Sequence, residues 1–100
     1  MHAAVRRMKC APGKAQVVAR LIEDEYIPQL ARVEGVISYT LVHSGEDEVT
    51  SLGVFTSEPG AARANALAQA WAKERLAGLG AAPLEARDGK ILLNWAPAKD

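Results

Sequence analysis

The sequence has a single cysteine, Cys10, among its 100 residues, and only two histidines. One cysteine cannot form a disulfide within the chain, so the composition suits a reducing compartment and predicts a cytoplasmic protein. A reactive thiol requires a neighbouring group that stabilises the thiolate, and none can be identified beside Cys10. We therefore interpret Cys10 as a small apolar residue at the end of a strand.

An excess of charge of one sign is also lacking, because 12 lysine and arginine residues balance 12 aspartate and glutamate residues. The absence of a basic run argues against nucleic acid or an anionic membrane as a partner. No apolar run reaches the ~18 residues that cross a bilayer, and residues 1–9 lack the apolar stretch of a secretory signal. These absences favour a small globular domain.

Motifs that hold metals or cofactors are missing as well. No Cys–His or His–carboxylate cluster has metal-ligand spacing, and no glycine-rich phosphate loop or nucleophile elbow occurs. His2 is predicted to begin the first strand and His43 to end the second, at opposite ends of one sheet. We therefore expect neither a metal nor a cofactor.

What the sequence does have is a clear alternation of strand and helix patterns, in one domain spanning residues 1–100. Strands are predicted over 3–9, 36–43, 48–56 and 90–95, the last after a tight turn at Asp88-Gly89. Helices are predicted from Ala15 to about Tyr26, with a short turn following Pro28, and after an N-cap at Ser57. Right-handed crossovers then place the third strand between the first and second. This order predicts an α+β, ferredoxin-like βαββαβ fold: an antiparallel sheet with both helices on one face.

The predicted strands carry apolar residues on both faces, although the helices can cover only one. Successive strand residues point to opposite faces. Both faces are therefore predicted to need cover, and a second copy of the chain would supply it. The sequence thus predicts a homodimer formed through the bare sheet face. The residues concerned are Ile37, Tyr39 and Leu41 on one side of the second strand, Val36 and Val42 on the other, and the mixed sets Leu52, Val54, Phe55 and Ile91, Leu92, Leu93.

Taken together, these segments resemble the dimeric α/β-barrel superfamily, and within it the antibiotic-biosynthesis-monooxygenase-like proteins. The resemblance implies a homodimer whose sheets face each other, with a cavity between sheet and helices in each subunit. It rests on Val5-Arg6-Arg7, Pro12-Gly13, Pro28 with Leu30, Glu34-Gly35-Val36 with Tyr39, Ser51 to Phe55, Asn65 with Ala68 and Trp71, and Gly89 to Leu92.

Members of this superfamily include cofactor-free monooxygenases of polycyclic phenols and quinol-like compounds, haem-degrading enzymes, isomerases, and proteins without known activity. The oxygenases use an Asn and a Trp from the second-helix region, often with a Tyr, His or Arg nearby. By resemblance, Asn65 and Trp71 are the candidate catalytic residues, together with Tyr39 and His43. Arg6, Trp71 and Tyr39 are the candidate substrate-binding residues.

Each candidate also has a purely structural interpretation. Trp71 is either a core aromatic or a cavity wall whose indole N–H donates to a ligand. Asn65 either lies on the helix surface or orients a carbonyl or phenol, and Tyr39 is either a core ring or a donor at a cavity mouth. His43 is either an exposed strand-end residue or a base.

Arg6 and Arg7 are predicted on opposite faces of a central strand, so at least one points inward and needs a partner. Glu25, Glu74 or an anionic ligand are the candidate partners, and the sequence does not decide which arginine faces the cavity.

Three functions follow from this pattern. The first is a small homodimeric protein that binds an aromatic or oxygenated metabolite in a cavity between sheet and helices. The second is a cofactor-independent monooxygenase of phenolic or quinol-type substrates, in which the deprotonated substrate itself reduces oxygen. The third is a structural dimerisation domain. An enclosed cavity of several hundred Å³ lined by Trp71, Asn65 and Arg6 would support a ligand site, and solid packing there would leave only the structural function.

Overall fold

A computed structural model describes residues 1–98 of the chain. No helix within those residues has the length and apolarity needed to cross a membrane. Residues 1–98 form four strands and three α-helices, with a π-helical segment joining the first two helices and a 3₁₀ turn following the third. In chain order they are β1 (His2–Lys9), α1 (Ala15–Leu21), the π segment (Ile22–Tyr26), α2 (Ile27–Leu30), β2 (Val36–Gly45), β3 (Glu48–Phe55), α3 (Glu58–Arg75), the 3₁₀ turn (Ala77–Leu79) and β4 (Ala82–Lys90).

The four strands form one sheet in the order β2-β3-β1-β4, and all neighbours are antiparallel. β3 lies between β1 and β2, so the predicted ferredoxin-like topology is confirmed. The sheet has a helix face and an open face, defined by alternation along the strands. The helix face carries Ala4, Arg6, Met8, Tyr39, Leu41, Val49, Ser51, Gly53, Phe55, Ala86 and Asp88, and the open face carries Val5, Arg7, Thr40, Val42, Thr50, Leu52, Val54, Glu85 and Arg87.

The π segment keeps the first helical region facing the sheet over its whole length. Its buried side chains, Val18, Ile22, Tyr26 and Leu30, recur every four residues. In a regular α-helix of 3.6 residues per turn, each such step rotates the side chain by roughly 40° away from the previous one. The wider π turn offsets part of this drift, so Tyr26 and Leu30 still point inward.

The last strand differs from the prediction in both position and register. β4 spans Ala82–Lys90 instead of 90–95, and Asp88 and Gly89 pair with Ala4 and Ala3 inside the ladder. The Asp-Gly pair was predicted as a turn from local preference alone, but cross-strand pairing with β1 overrides that preference. The predicted strand residues Leu92, Leu93 and Trp95 therefore lie beyond the sheet and are 94%, 85% and 79% exposed.

The predicted faces of β2 are also partly wrong. The β2–β3 register shifts between Val36 and Ser38, so Ile37 is an extra residue with no partner of its own. Val36 consequently pairs with Phe55 and packs against the core, whereas Ile37 is exposed. A bulge reverses the alternation that a sequence pattern assumes. Tyr39 and Leu41 share the helix face and Val42 the open face, as predicted.

Candidate functional site

A cavity of about 580 Å³ lies between the helix face of the sheet, α3 and the π segment, and it is partly open to solvent instead of fully enclosed. Its wall is mostly apolar, with a small number of polar side chains among the lining residues. This combination is typical of small-molecule sites. The lining residues used below are Arg6, Tyr26, Tyr39, Asn65, Ala68 and Trp71.

The cavity exists because small residues face each other across the layers. Ala4, Ser51 and Gly53 form part of the sheet wall, and α3 contributes Ala64 and Ala68. Protein interiors are otherwise packed without voids of this size, so larger side chains at these positions would close the space. Gly53 has a second reason to be small, because a Cβ atom there would stand 2.9 Å from the Phe55 ring.

Three aromatic rings form one end of the cavity. The Tyr26 ring lies between Tyr39, with centroids 5.8 Å apart in an edge arrangement, and Trp71, with centroids 5.6 Å apart. The Tyr26 hydroxyl donates to the Ala64 carbonyl oxygen at 3.3 Å. Burial raises the pKa of Tyr26 to about 12 and also raises the pKa of Tyr39. Both phenols therefore keep their protons near neutral pH and are hydrogen-bond donors, not bases.

The indole N–H of Trp71 is already engaged. It donates to Glu25 Oε1 at 3.4 Å, and the same carboxylate accepts from Arg75 Nε and Nη2 at 2.7 and 2.9 Å. The hydrogen bond from Arg75 holds the pKa of Glu25 below its usual value. This contact joins the π segment to α3 and fixes the Trp71 ring, so the ring surface is what Trp71 offers to a ligand.

A polar cluster formed by Arg6, Asp88 and Asn65 lies at another part of the cavity. Arg6 Nη1 and Nη2 donate to the two carboxylate oxygens of Asp88 at 2.5 and 3.0 Å, and Asn65 Nδ2 donates to Asp88 Oδ2 at 3.3 Å. The hydrogen bond from Arg6 is the main reason that the pKa of Asp88 is lowered. Arg6 and Asn65 line the cavity, whereas Asp88 lies in a shallower depression beside it, which it shares with Asn65 and His2. The cluster therefore forms part of the cavity rim.

The structure brings four of the five predicted site residues, Arg6, Tyr39, Asn65 and Trp71, around one cavity. Strand alternation places Arg6 on the helix face and Arg7 on the open face, but the cavity lining includes both arginines. Arg7 Nε also lies 3.9 Å from Glu48 Oε1.

His43 lies elsewhere, exposed near the end of β2, with its Nε2 3.0 Å from the Glu46 carbonyl oxygen. Among residues 1–98 no histidine lines the cavity. That part of the chain also holds no group of three His, Cys, Asp or Glu side chains arranged to bind a metal ion.

Sequence reasoning did not find Asp88 or Tyr26. The predicted partner of the inward arginine was Glu25, Glu74 or an anionic ligand, but Arg6 pairs with Asp88 and Glu25 pairs with Arg75. Asp88 was missed as a partner because the sequence predicted it in a turn. In the β4 register that the structure has, Asp88 lies on the same face of the sheet as Arg6. Tyr26 belonged to a recognised apolar stripe, and nothing in that stripe distinguishes a cavity wall from solid core.

No protein-family model and no curated protein matches the chain. Solved structures do match. A monooxygenase from Streptomyces coelicolor, in complex with nanaomycin D, has a TM-score of 0.77 and 18% identity over 97% of this chain and 92% of that one. A variant of SnoaB, a cofactor-independent oxygenase from Streptomyces nogalater, has a TM-score of 0.71 and 17% identity over 93% and 94%.

A dimeric ferredoxin-like protein from an uncultured marine organism has a TM-score of 0.72 and 10% identity over 97% of this chain and 100% of that one. Similarity at this level of identity establishes the fold and leaves activity to be argued from the site. The resemblance stated from the sequence is therefore confirmed for the architecture: the chain has the ferredoxin-like fold of the antibiotic-biosynthesis-monooxygenase-type proteins.

Proposed function

We propose that this chain is a small homodimeric protein of the antibiotic-biosynthesis-monooxygenase-like type that binds an aromatic or oxygenated metabolite in the cavity between sheet and helices. The observation that carries the proposal is the cavity itself, about 580 Å³ in volume and lined by Trp71, Asn65 and Arg6. A purely structural domain would gain from solid packing at this position, because filling the space would stabilise the fold.

The lining supports an aromatic ligand with at least one oxygen. The rings of Tyr26, Tyr39 and Trp71 offer edge and face contacts to another ring. Arg6 and Asn65 supply N–H groups at the rim, and Tyr39 supplies a phenolic O–H that stays protonated. These donors are complementary to carbonyl or phenol oxygens.

The homodimer is proposed to form through the open face. Val42 and Leu52 on that face are 50% and 41% exposed in a single copy, and Val5 and Val54 lie beside them. A group of exposed apolar side chains on one sheet face is typical of a protein–protein interface. The dimeric protein of the same fold supports a homodimer. The buried Cys10 thiol, whose pKa burial raises, is consistent with the proposed cytoplasmic setting.

Cofactor-independent oxygenation is the alternative, favoured by the similarity to the two oxygenase structures. That chemistry begins with removal of a proton from a bound phenol, after which the anion reduces oxygen. The tyrosines are poor bases because burial raises their pKa values, and Arg6 holds the pKa of the Asp88 carboxylate low. His43, the predicted base, lies outside the cavity. These features place binding ahead of oxygenation.

Filling the cavity tests the binding proposal. Ala68 lines the cavity, and Ala68→Phe is expected to weaken the binding of 2-naphthol by at least about tenfold, because a benzyl group takes the space of the ligand ring. Isothermal titration calorimetry at pH 7 measures the affinity. Ala70→Phe is the matched control, since Ala70 is exposed on the same helix. Equal affinities in the two variants, or no binding to the native protein, would refute the proposal.

Oxygen uptake separates the alternative from the proposal. The native protein with 1,5-dihydroxynaphthalene is expected to consume oxygen no faster than buffer. Uptake that falls sharply in both Trp71→Phe and Asn65→Ala would instead establish the oxygenase. The Trp71→Phe change keeps an aromatic ring, so a loss of uptake would not merely report a collapsed wall.

A further inference from the structure

We propose that Asp88 sets the charge selectivity of the cavity: by neutralising Arg6, it makes the site accept uncharged aromatic ligands and discriminate against carboxylates. This inference rests on the proposed ligand-binding function and adds the class of ligand. It depends on the geometry of the Arg6–Asp88–Asn65 cluster.

Arg6 looks at first like an anion-binding residue, because it is a cation beside an apolar cavity. An arginine binds a carboxylate best through two parallel N–H groups. In this chain Asp88 already occupies the bidentate position on Arg6. Its carboxylate accepts hydrogen bonds from both Nη1 and Nη2 of Arg6, and its Oδ2 also accepts one from the Asn65 amide at 3.3 Å. A ligand carboxylate would have to displace a carboxylate tethered to the neighbouring strand.

The tether is strong because β4 is paired with β1 along its length. Ala4 pairs with Asp88 and Arg6 with Ala86, so the pairing of β1 with β4 holds the Asp88 carboxylate next to the Arg6 guanidinium. Arg6 Nη1 also donates to the Val5 carbonyl oxygen at 2.9 Å, which fixes the guanidinium from the other side. An intramolecular partner held in place loses little entropy on pairing, whereas a free anion would lose much more.

An uncharged oxygen of a ligand can bind Arg6 without displacing Asp88. A guanidinium has five N–H donors, and its contacts with Asp88 and Val5 leave at least one for a ligand. A carbonyl or un-ionised phenol can accept it while the ion pair stays intact. An anionic ligand at Arg6 would lie in a mostly apolar cavity beside the negative Asp88, while the other cations of the lining, Arg7 and Lys73, are exposed to solvent.

Two probes with the same ring system test this selectivity. At pH 7, 2-naphthol is uncharged and 2-naphthoate is an anion. The native protein is expected to bind 2-naphthol at least about tenfold more tightly than 2-naphthoate, as measured by calorimetry. Asp88→Asn keeps the side-chain size but releases Arg6, and it is expected to shift this ratio toward 2-naphthoate by about tenfold or more.

Glu23→Gln is the control for net charge, because it removes one exposed carboxylate that does not line the cavity and leaves Arg6 paired with Asp88. It is expected to shift the ratio by less than about threefold, because exposed charges act weakly through solvent. The double variant Arg6→Gln, Asp88→Asn removes the cation and is expected to lose the gain in 2-naphthoate affinity. Thermal unfolding of each variant establishes that it is folded.

The outcomes distinguish the two proposals. Equal binding of both probes by the native protein, or an unchanged ratio in Asp88→Asn, overturns the selectivity while leaving a binding protein. A shift in Glu23→Gln as large as in Asp88→Asn does the same, because the net charge of the protein would then explain it. Failure of the native protein and every variant to bind either probe overturns the proposed function, and the selectivity with it.

Discussion

The two faces of the sheet are formed by the same strands but differ in how deeply their side chains are buried. On β3, Val49 and Phe55 are buried against the helices while Leu52, on the other face, is 41% exposed. The helix face has small residues that line a cavity, and its ion pair lies at the rim. The open face leaves Val42 and Leu52 exposed in a single copy. This difference is what the proposed ligand site on the helix face and the proposed dimer contact on the open face would require.

A pair of truncations on β3 should separate the faces most strongly. Phe55→Ala is expected to lower the free energy of unfolding by about 3–5 kcal/mol, because the ring is only 3% exposed. Leu52→Ala should change the stability of dilute protein by less than about 1 kcal/mol. Urea denaturation at two protein concentrations measures both.

The effect of Leu52→Ala should grow with concentration, since stability that comes from dimerisation follows mass action. A concentration-independent effect at Leu52 would contradict the proposed interface.

A charge on the open face should dissociate the dimer. Leu52→Glu is expected to raise the dimer dissociation constant by at least about a hundredfold, because the interface would bury an unpaired carboxylate from each copy. Sedimentation equilibrium measures the constant. Val17→Glu is a close control, since Val17 is also 41% exposed but lies on α1, away from the open face. Dissociation by both variants, or by neither, would show that the open face is not the interface.

The smallest expected effect concerns the acid stability of the helix face. The pKa of Asp88 is lowered in the folded chain, mainly by the hydrogen bond from Arg6. Its contribution to stability is therefore complete above the ordinary aspartate pKa of 3.8 and is lost as the pH falls through the lowered value. The pair is partly exposed, so the contribution is expected to be under about 1 kcal/mol.

Asp88→Asn should accordingly flatten the acid end of the stability curve and leave its shape above pH 5 unchanged. Urea midpoints across the acid range measure this. Glu85→Gln, on the open face of the same strand, is the comparison. An acid limb that is as steep in Asp88→Asn as in the native protein would show that the Arg6 contact does not stabilise the carboxylate.

Much of the architecture could be predicted from local patterns. The strand boundaries of β1 and β3, the sheet order and the positions of the helices follow from apolar periodicity and crossover handedness. Arg6, Tyr39, Asn65 and Trp71 were named by resemblance, and the fold brings them around one cavity. The predicted bounds of β4 were wrong because Asp88-Gly89 has a strong turn preference, which its pairing with β1 overrides. That one error concealed the true partner of Arg6.

Local patterns were enough to predict the strands and helices of most of the chain, because periodicity repeats within a few residues. The contact of Arg6 with Asp88, the hydrogen bond from Trp71 to Glu25 and the cavity left by facing alanines and a glycine arise only when distant segments pack together. These are contacts between residues 46 to 82 positions apart. They depend on register and on a one-residue bulge, which no short stretch of sequence encodes on its own.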